Sequence, residues 1–207
     1  MLLFTDLVSG LRKDILQGKY PCGFKLTEKA ICSEYKVSRT PVREALRQLE
    51  TEGLIEAIPN RGAFVLGFSE HDIRDIFELR KSCEVQAVKW AIERITDDEL
   101  DSLEEVFGFM EFYTQKNDFE KMININANFH QHIHAAAHNR ILRHLLLSYQ
   151  QYTEHAKKSQ VFGDEYLSLV LEEHRRIFDA FKTQNVELGI RAMETHMDKS
   201  IERQYGL

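Results

Sequence analysis

Three cysteines, Cys22, Cys32 and Cys83, are all the thiol chemistry this chain has. Their number is odd and no CxxC pair occurs, which excludes a disulfide framework and a zinc-finger ligand set and leaves free thiols. No apolar run approaches the roughly 20 residues that a bilayer-spanning helix needs. The opening MLLFTDLVSG has no basic region ahead of a long apolar stretch, so neither a secretion signal nor a membrane partner is indicated and a cytoplasmic protein is expected. Internal repeats and low-complexity linkers are also lacking, which sets aside solenoids and disordered tethers. What is present, 43% hydrophobic and 29% charged residues over 207 positions, fits one large globular domain or two small ones.

The net charge of -6 conceals a division along the chain. Residues 1–67 carry 10 Lys+Arg against 8 Asp+Glu, whereas residues 68–207 carry 17 against 25. The positive balance sits in the N-terminal third, and the acidic remainder is unsuited to nucleic acid.

That basic third reads as helices followed by a hairpin. Leu7, Val8, Leu11 and Ile15 share one side of a helix over residues 6–17, stopped by Gly18 and Pro21. A short extended piece at 24–26 leads to Thr27, a candidate N-cap for EKAICSEYK. The next helix begins after Ser38, its candidate N-cap, has Pro41 in its first turn, and closes at Gly53. Arg39, Arg43 and Arg47 lie on one face of it, with Val42, Ala45, Leu46 and Leu49 on the other. Such a stripe can be a solvated surface, but a second helix preceding an arginine-rich helix N-terminus is the arrangement with which a helix-turn-helix reads DNA. LIEAI and AFVL flank PNRG, a β-hairpin pattern with a glycine in its turn. Three helices and a hairpin describe a winged helix-turn-helix over residues 1–67.

From residue 68 the pattern is helical throughout. Ser69 and Thr96 each open a capping box, SEHD and TDDE, and helices are expected near 70–94, 97–116, 118–137, 140–160, 164–183 and 186–204. Six helices with short links give a mainly α fold whose second domain, 68–207, is an antiparallel bundle.

Several polar residues fall where a bundle core belongs. Phe119, Met122, Ile123, Phe129, Ile133 and Ala137 cluster on one side of the third bundle helix, with Asn126 and His130 in their midst, His134 at the edge and His138 outside. On the fifth, His174 is centred among Leu167, Val170, Leu171, Ile177, Phe178 and Phe181; on the last, His196 shares a face with Gly189 and Ala192. A single such histidine is commonly a hydrogen-bonded core residue. Several together are costly to bury unless each is bonded or bound to a metal, and imidazole and amide donors suit a divalent first-row transition metal such as zinc, nickel or manganese. On the first bundle helix Ile73, Ile76, Cys83 and Ala87 advance by threes and fours, and Arg80 takes the step where another apolar residue belongs. Its guanidinium stays charged, so it pairs either with Glu84 one turn on or with the carboxylate of a bound ligand.

The run SRTPVREALRQLETEGLIEAIPNRGAFV resembles the winged helix-turn-helix of GntR-type bacterial transcription regulators. ELRKSCE from 78, NANFHQHIH from 126, EEHRRIF from 172 and METHM from 193 resemble the all-helical ligand-sensing FCD domain of that family's FadR subgroup. The resemblance implies a dimeric regulator that binds a palindromic double-stranded DNA operator and answers to a small carboxylate effector. It places DNA contacts at Arg39, Thr40 and Arg43, at Lys29 on the preceding helix and at Arg61 and Gly62 in the wing, with Arg47 a phosphate contact. It also implies a metal held by Asn126, His130, His174 and His196, and an effector contact at Arg80. Asn126 departs from the aspartate that many members carry, which lowers the charge of the site.

A hydrolase using the same metal ligands is the competing expectation, opposed by the arginine helix and by the lack of any evident inward carboxylate beside the ligands to act as general base. A third keeps the regulator but makes the histidine cavity structural only.

Overall fold

Leu7, Val8, Leu11 and Ile15 recur at helical spacing and all are buried, on α1 (Phe4–Leu16). The helix stops ahead of Gly18, whose φ of 77° suits a residue without a β-carbon. The computed structural model describes residues 4–59, 61–156 and 165–205. Asn60 of the PNRG turn, and residues 157–160 and 164 at the expected ends of two bundle helices, lie outside the described residues.

After β1 (Lys25–Leu26), the Thr27 hydroxyl accepts from the Ala30 amide at 3.3 Å and opens α2 (Glu28–Tyr35). Lys36, at φ 54°, ends it. The arginine-rich helix α3 (Arg39–Thr51) buries Val42, Ala45 and Leu49 completely, with Leu46 half-buried. Ser38 takes the extended N-cap conformation as expected, yet its hydroxyl makes no capping hydrogen bond. Gly53 then turns the chain at φ 73° into β2 (Ile55–Ile58) and β3 (Gly62–Val65). These form an antiparallel sheet in the order β1-β3-β2, Ile55 opposite Val65 and Lys25 opposite Phe64. The inward side chains of all these elements share one core.

Among the described residues the second core belongs to six helices: α4 (Glu70–Arg94), α5 (Asp97–Gln115), α6 (Phe119–Ala136), α7 (Arg140–Ala156), α8 (Tyr166–Lys182) and α9 (Val186–Tyr205). Both expected capping boxes form. Ser69 and Asp72 exchange hydrogen bonds at the start of α4, and Thr96 and Glu99 do so at the start of α5. Three of the links are short, each turning at a single residue of positive φ, Asn117, His138 or Gln184. Helix α9 lies so close to α4 that a β-carbon on Gly189 would sit 2.3 Å from Ile92 Cδ1. The chain thus packs as two compact units, Met1–Ile73 and Arg74–Leu207.

Two details of the apolar pattern differ from expectation. Ile123, placed on the inner face of α6, is 48% exposed, since Met122 beside it takes the inward position and one residue is about 100° of helical rotation. On α4 the inward line is Phe77, Arg80, Glu84, Ala87, Val88 and Ala91, all buried, with Ile73, Ile76 and Cys83 at its margins.

Candidate metal centre and nucleic-acid interface

Helices α6, α8 and α9 bring His130, His174 and His196 together. All three are buried, and one ring nitrogen from each lies within 4.8 Å of the others. Their outer nitrogens are already engaged. His174 Nδ1 lies 2.7 Å from the Val170 carbonyl one turn back, His196 Nδ1 lies 2.9 Å from Glu173 Oε2, and His130 Nδ1 lies 3.3 Å from Glu84 Oε2. With Nδ1–H donating to a carbonyl or a carboxylate, each imidazole turns its Nε2 edge toward the other two. Nε2 of His130 and Nε2 of His174 are fully buried and have no hydrogen-bond partner among the described residues.

An orphaned buried nitrogen costs about 1–3 kcal/mol, and two facing one centre need an occupant. Three imidazoles oriented from behind fit a divalent first-row metal. Burial pushes the His174 ring well below the usual histidine range, with His196 and His130 adding to the effect, and burial also lowers His130 against the pull of Glu84. Both are therefore unprotonated at neutral pH. Asn126 lies on α6 one turn before His130 and is half-buried.

Two buried carboxylates, Glu84 and Glu173, correct the expectation that none points inward beside the ligands. Both are committed. Glu84 accepts from Arg80 Nη2 at 3.2 Å, from His130, and from His134 Nε2 at 2.8 Å; Arg203 grips Glu173 through Nη1 and Nη2 at 2.7 and 2.9 Å. Burial alone raises the Glu84 carboxyl, but the His134 and His130 rings more than reverse this and hold it well below the ordinary range. These carboxylates orient ligands and are not bases free to activate water. Arg80 is indeed inward and pairs with Glu84, the first of the two partners its position allowed. Glu173, next to a ligand histidine, and His134, at the edge of its helix face yet only 2% exposed, are buried polar residues that helical periodicity does not single out. Glu84, His130 and His134 also place their ligating atoms within 4.8 Å, but the adjacent Arg80 guanidinium makes that corner a poor one for a cation.

In the first unit, Arg39, Thr40, Arg43 and Arg47 are exposed along one side of α3, Lys29 is exposed on α2, and Arg61 and Gly62 stand at the wing tip. Arg43 Nε donates to Glu28 Oε1 at 2.6 Å, tying the face of α3 to the start of α2. Arg61 and Lys25 each lie 5.9 Å from the Phe64 ring. Charge without burial, on a helix whose opposite face fills a core, is what phosphate and base edges require.

Comparison with known proteins bears on both halves. Residues 5–65 match the family described as bacterial regulatory proteins, gntR family, and residues 75–199 match the FCD domain. The chain is 30% identical to the uncharacterized HTH-type transcriptional regulator YdhC of Bacillus subtilis, over 96% of this chain and 89% of that one. It is 28% identical to the galactonate operon transcriptional repressor of Escherichia coli, over 96% of both. Among solved structures, E. coli McbR/YncC superposes with a TM-score of 0.76 at 23% identity, covering 100% of this chain and 99% of that one.

Proposed function

The chain belongs to the gntR family of bacterial regulatory proteins, with an FCD domain behind its DNA-binding head, and we propose that this transcription regulator is governed by a metal-anchored small-molecule ligand. It is a DNA-binding protein and not an enzyme, as its named relatives are regulators and repressors. The observation that carries the metal is the pair of orphaned Nε2 atoms on His130 and His174, turned with His196 to one centre. Zinc, nickel or manganese would be held by these three histidines, with Asn126 as fourth ligand, and would supply a Lewis-acid anchor for a ligand oxygen.

The effector is a small carboxylate whose charge Arg80 would share with Glu84. That sugar-acid operons are controlled by two of the relatives, named for galactonate and gluconate, agrees with this class. On DNA, Arg39, Thr40 and Arg43 read base edges in the major groove, Lys29 and Arg47 hold phosphate, and Arg61 and Gly62 enter the minor groove. A dimer would present two such heads to a palindrome whose half-sites are about one helical turn apart. The relatives named repressors favour repression, relieved when the effector binds one arrangement of the bundle more tightly than the other.

Elemental analysis of the purified protein, paired with operator binding on a fragment selected from a random DNA pool, tests the reading. About one transition-metal equivalent per chain is expected, with carboxylate-dependent release of DNA that a chelator abolishes. If the chelator lowers thermal stability and leaves the release unchanged, the histidine cavity is structural. If no metal is bound or taken up, the metal-anchored reading fails.

A further inference from the structure

Glu28 is the first residue of α2, next to the exposed Lys29. An acidic side chain in a first turn suits the helix dipole, which would account for it if the carboxylate pointed to solvent. Instead it reaches across to the next helix, where Glu28 Oε1 accepts from Arg43 Nε at 2.6 Å. The Arg43 hydrogen bond, backed by the charges of Arg43 and Arg39, outweighs burial and holds this carboxyl below its ordinary range. Against DNA such a charge is a cost, because it repels phosphate and offsets part of the attraction of both arginines. A surface that bound phosphate alone would gain nothing from it.

What the contact supplies is direction. An exposed arginine without a brace samples many rotamers and can satisfy any phosphate within reach. Arg43 is held through Nε, and its Nη1 and Nη2 have no partner among the described residues, so they form a fork of two donors at its tip. In the major groove guanine alone presents two acceptors side by side, O6 and N7. Adenine sets an acceptor beside a donor, cytosine offers a donor, and thymine has one acceptor beside a methyl group.

We infer that Glu28 is a positioning residue for sequence recognition, bracing Arg43 as the reader of a guanine, an assignment that rests on Arg43 being a base contact. The acidic residue gives up general affinity for DNA and supplies discrimination at one base pair.

Competition binding by the full chain tests this, on a duplex selected from a random DNA pool, on its single-base-pair variants, and on a random-sequence duplex as the non-specific standard. At one position guanine should be preferred about tenfold or more over the other bases, and Arg43→Ala should abolish that preference. Glu28→Ala should cut the same preference by about threefold or more, leave binding of the random duplex unchanged or stronger, and have no further effect on the preference in the Arg43→Ala protein. Glu28→Gln, which keeps an acceptor at the same reach, should lose less than Glu28→Ala; an equal loss would overturn the brace. So would a preference that survives Glu28→Ala, or an even loss on all duplexes, which is what a structural role alone produces. A preference abolished by Arg43→Ala for a base other than guanine would overturn the fork. If Arg43→Ala changes no preference, the base-contact reading has itself failed and the brace falls with it. Thr27 supplies the capping hydrogen bond of α2, so the Glu28 variants are expected to fold.

Discussion

Glu173 Oε2 lies 2.9 Å from Nδ1 of His196, and both carboxylate oxygens of Glu173 are held by the fork of Arg203. The arginine fixes the carboxylate, the carboxylate fixes the tautomer and rotation of the imidazole, and the imidazole turns its other edge to His130 and His174. Replacing Glu173 with glutamine keeps the shape and removes the charge, so metal affinity should fall about 10- to 100-fold. Competition with a chromogenic chelator measures this. Unchanged affinity would mean that His196 is not oriented through Glu173.

How legible this site was follows from where each residue lies relative to its helix. His130 and His174 fall at the centre of apolar faces, and periodicity alone exposes them. Glu173 and His134 do not: each lies one residue from, or one turn beyond, a polar residue already noted, and a glutamate or histidine at a stripe's margin reads as surface. Only the packing of α9 on α8, which brings Arg203 over Glu173, turns that margin inward. Ile123 errs in the opposite direction, apolar by type yet excluded because Met122 fills the available space. The head was more readable, because its signals are local: Thr27 as cap, Gly53 at a left-handed turn, and alternating residues on either side of PNRG. Local geometry is written in neighbouring residues, whereas a site assembled from α4, α6, α8 and α9 depends on long-range packing.

Gly189 is a second test of that packing. A β-carbon there would meet Ile92 Cδ1 at 2.3 Å and Val88 Cγ1 at 3.0 Å, both on α4. Helix propensity favours alanine over glycine by about 1 kcal/mol, but overpacking costs about 1–3 kcal/mol. Gly189→Ala should therefore destabilise the bundle in denaturant unfolding, despite alanine's better propensity. Stabilisation would show that Ile92 moves aside freely.

The capping box of α5 makes a pH-dependent prediction. Burial raises the Glu99 carboxyl, but the Thr96 amide, His138 and the Thr96 hydroxyl outweigh it, so it titrates below the ordinary carboxylate range. A carboxyl depressed in the folded state stabilises above its unfolded pKa, and that stability is lost as pH falls through the folded value. Glu99→Gln should thus cost stability at neutral pH, with the difference from the parent shrinking below about pH 4. Thr96→Ala, which removes the other half of the box, should cost about 1 kcal/mol. Thermal unfolding of both variants across pH measures this, and a Glu99→Gln cost that is constant with pH would assign it to packing.

On the DNA face, Arg43 and Arg47 separate two kinds of contact. Arg43 stands in the second turn of α3, its Nε held by Glu28 in the free protein, while Arg47 lies one turn further along. A base-edge contact is worth about 1–3 kcal/mol and is specific to one position in the site; a phosphate contact lowers affinity for all sequences and reduces the salt slope by about one. Arg43→Ala should therefore relax discrimination at one operator position, and Arg47→Ala should weaken specific and non-specific binding alike. Competition binding at several salt concentrations distinguishes them. An even loss across sequences for Arg43→Ala would make it a phosphate contact, and move base reading to Arg39 and Thr40 in the first turn.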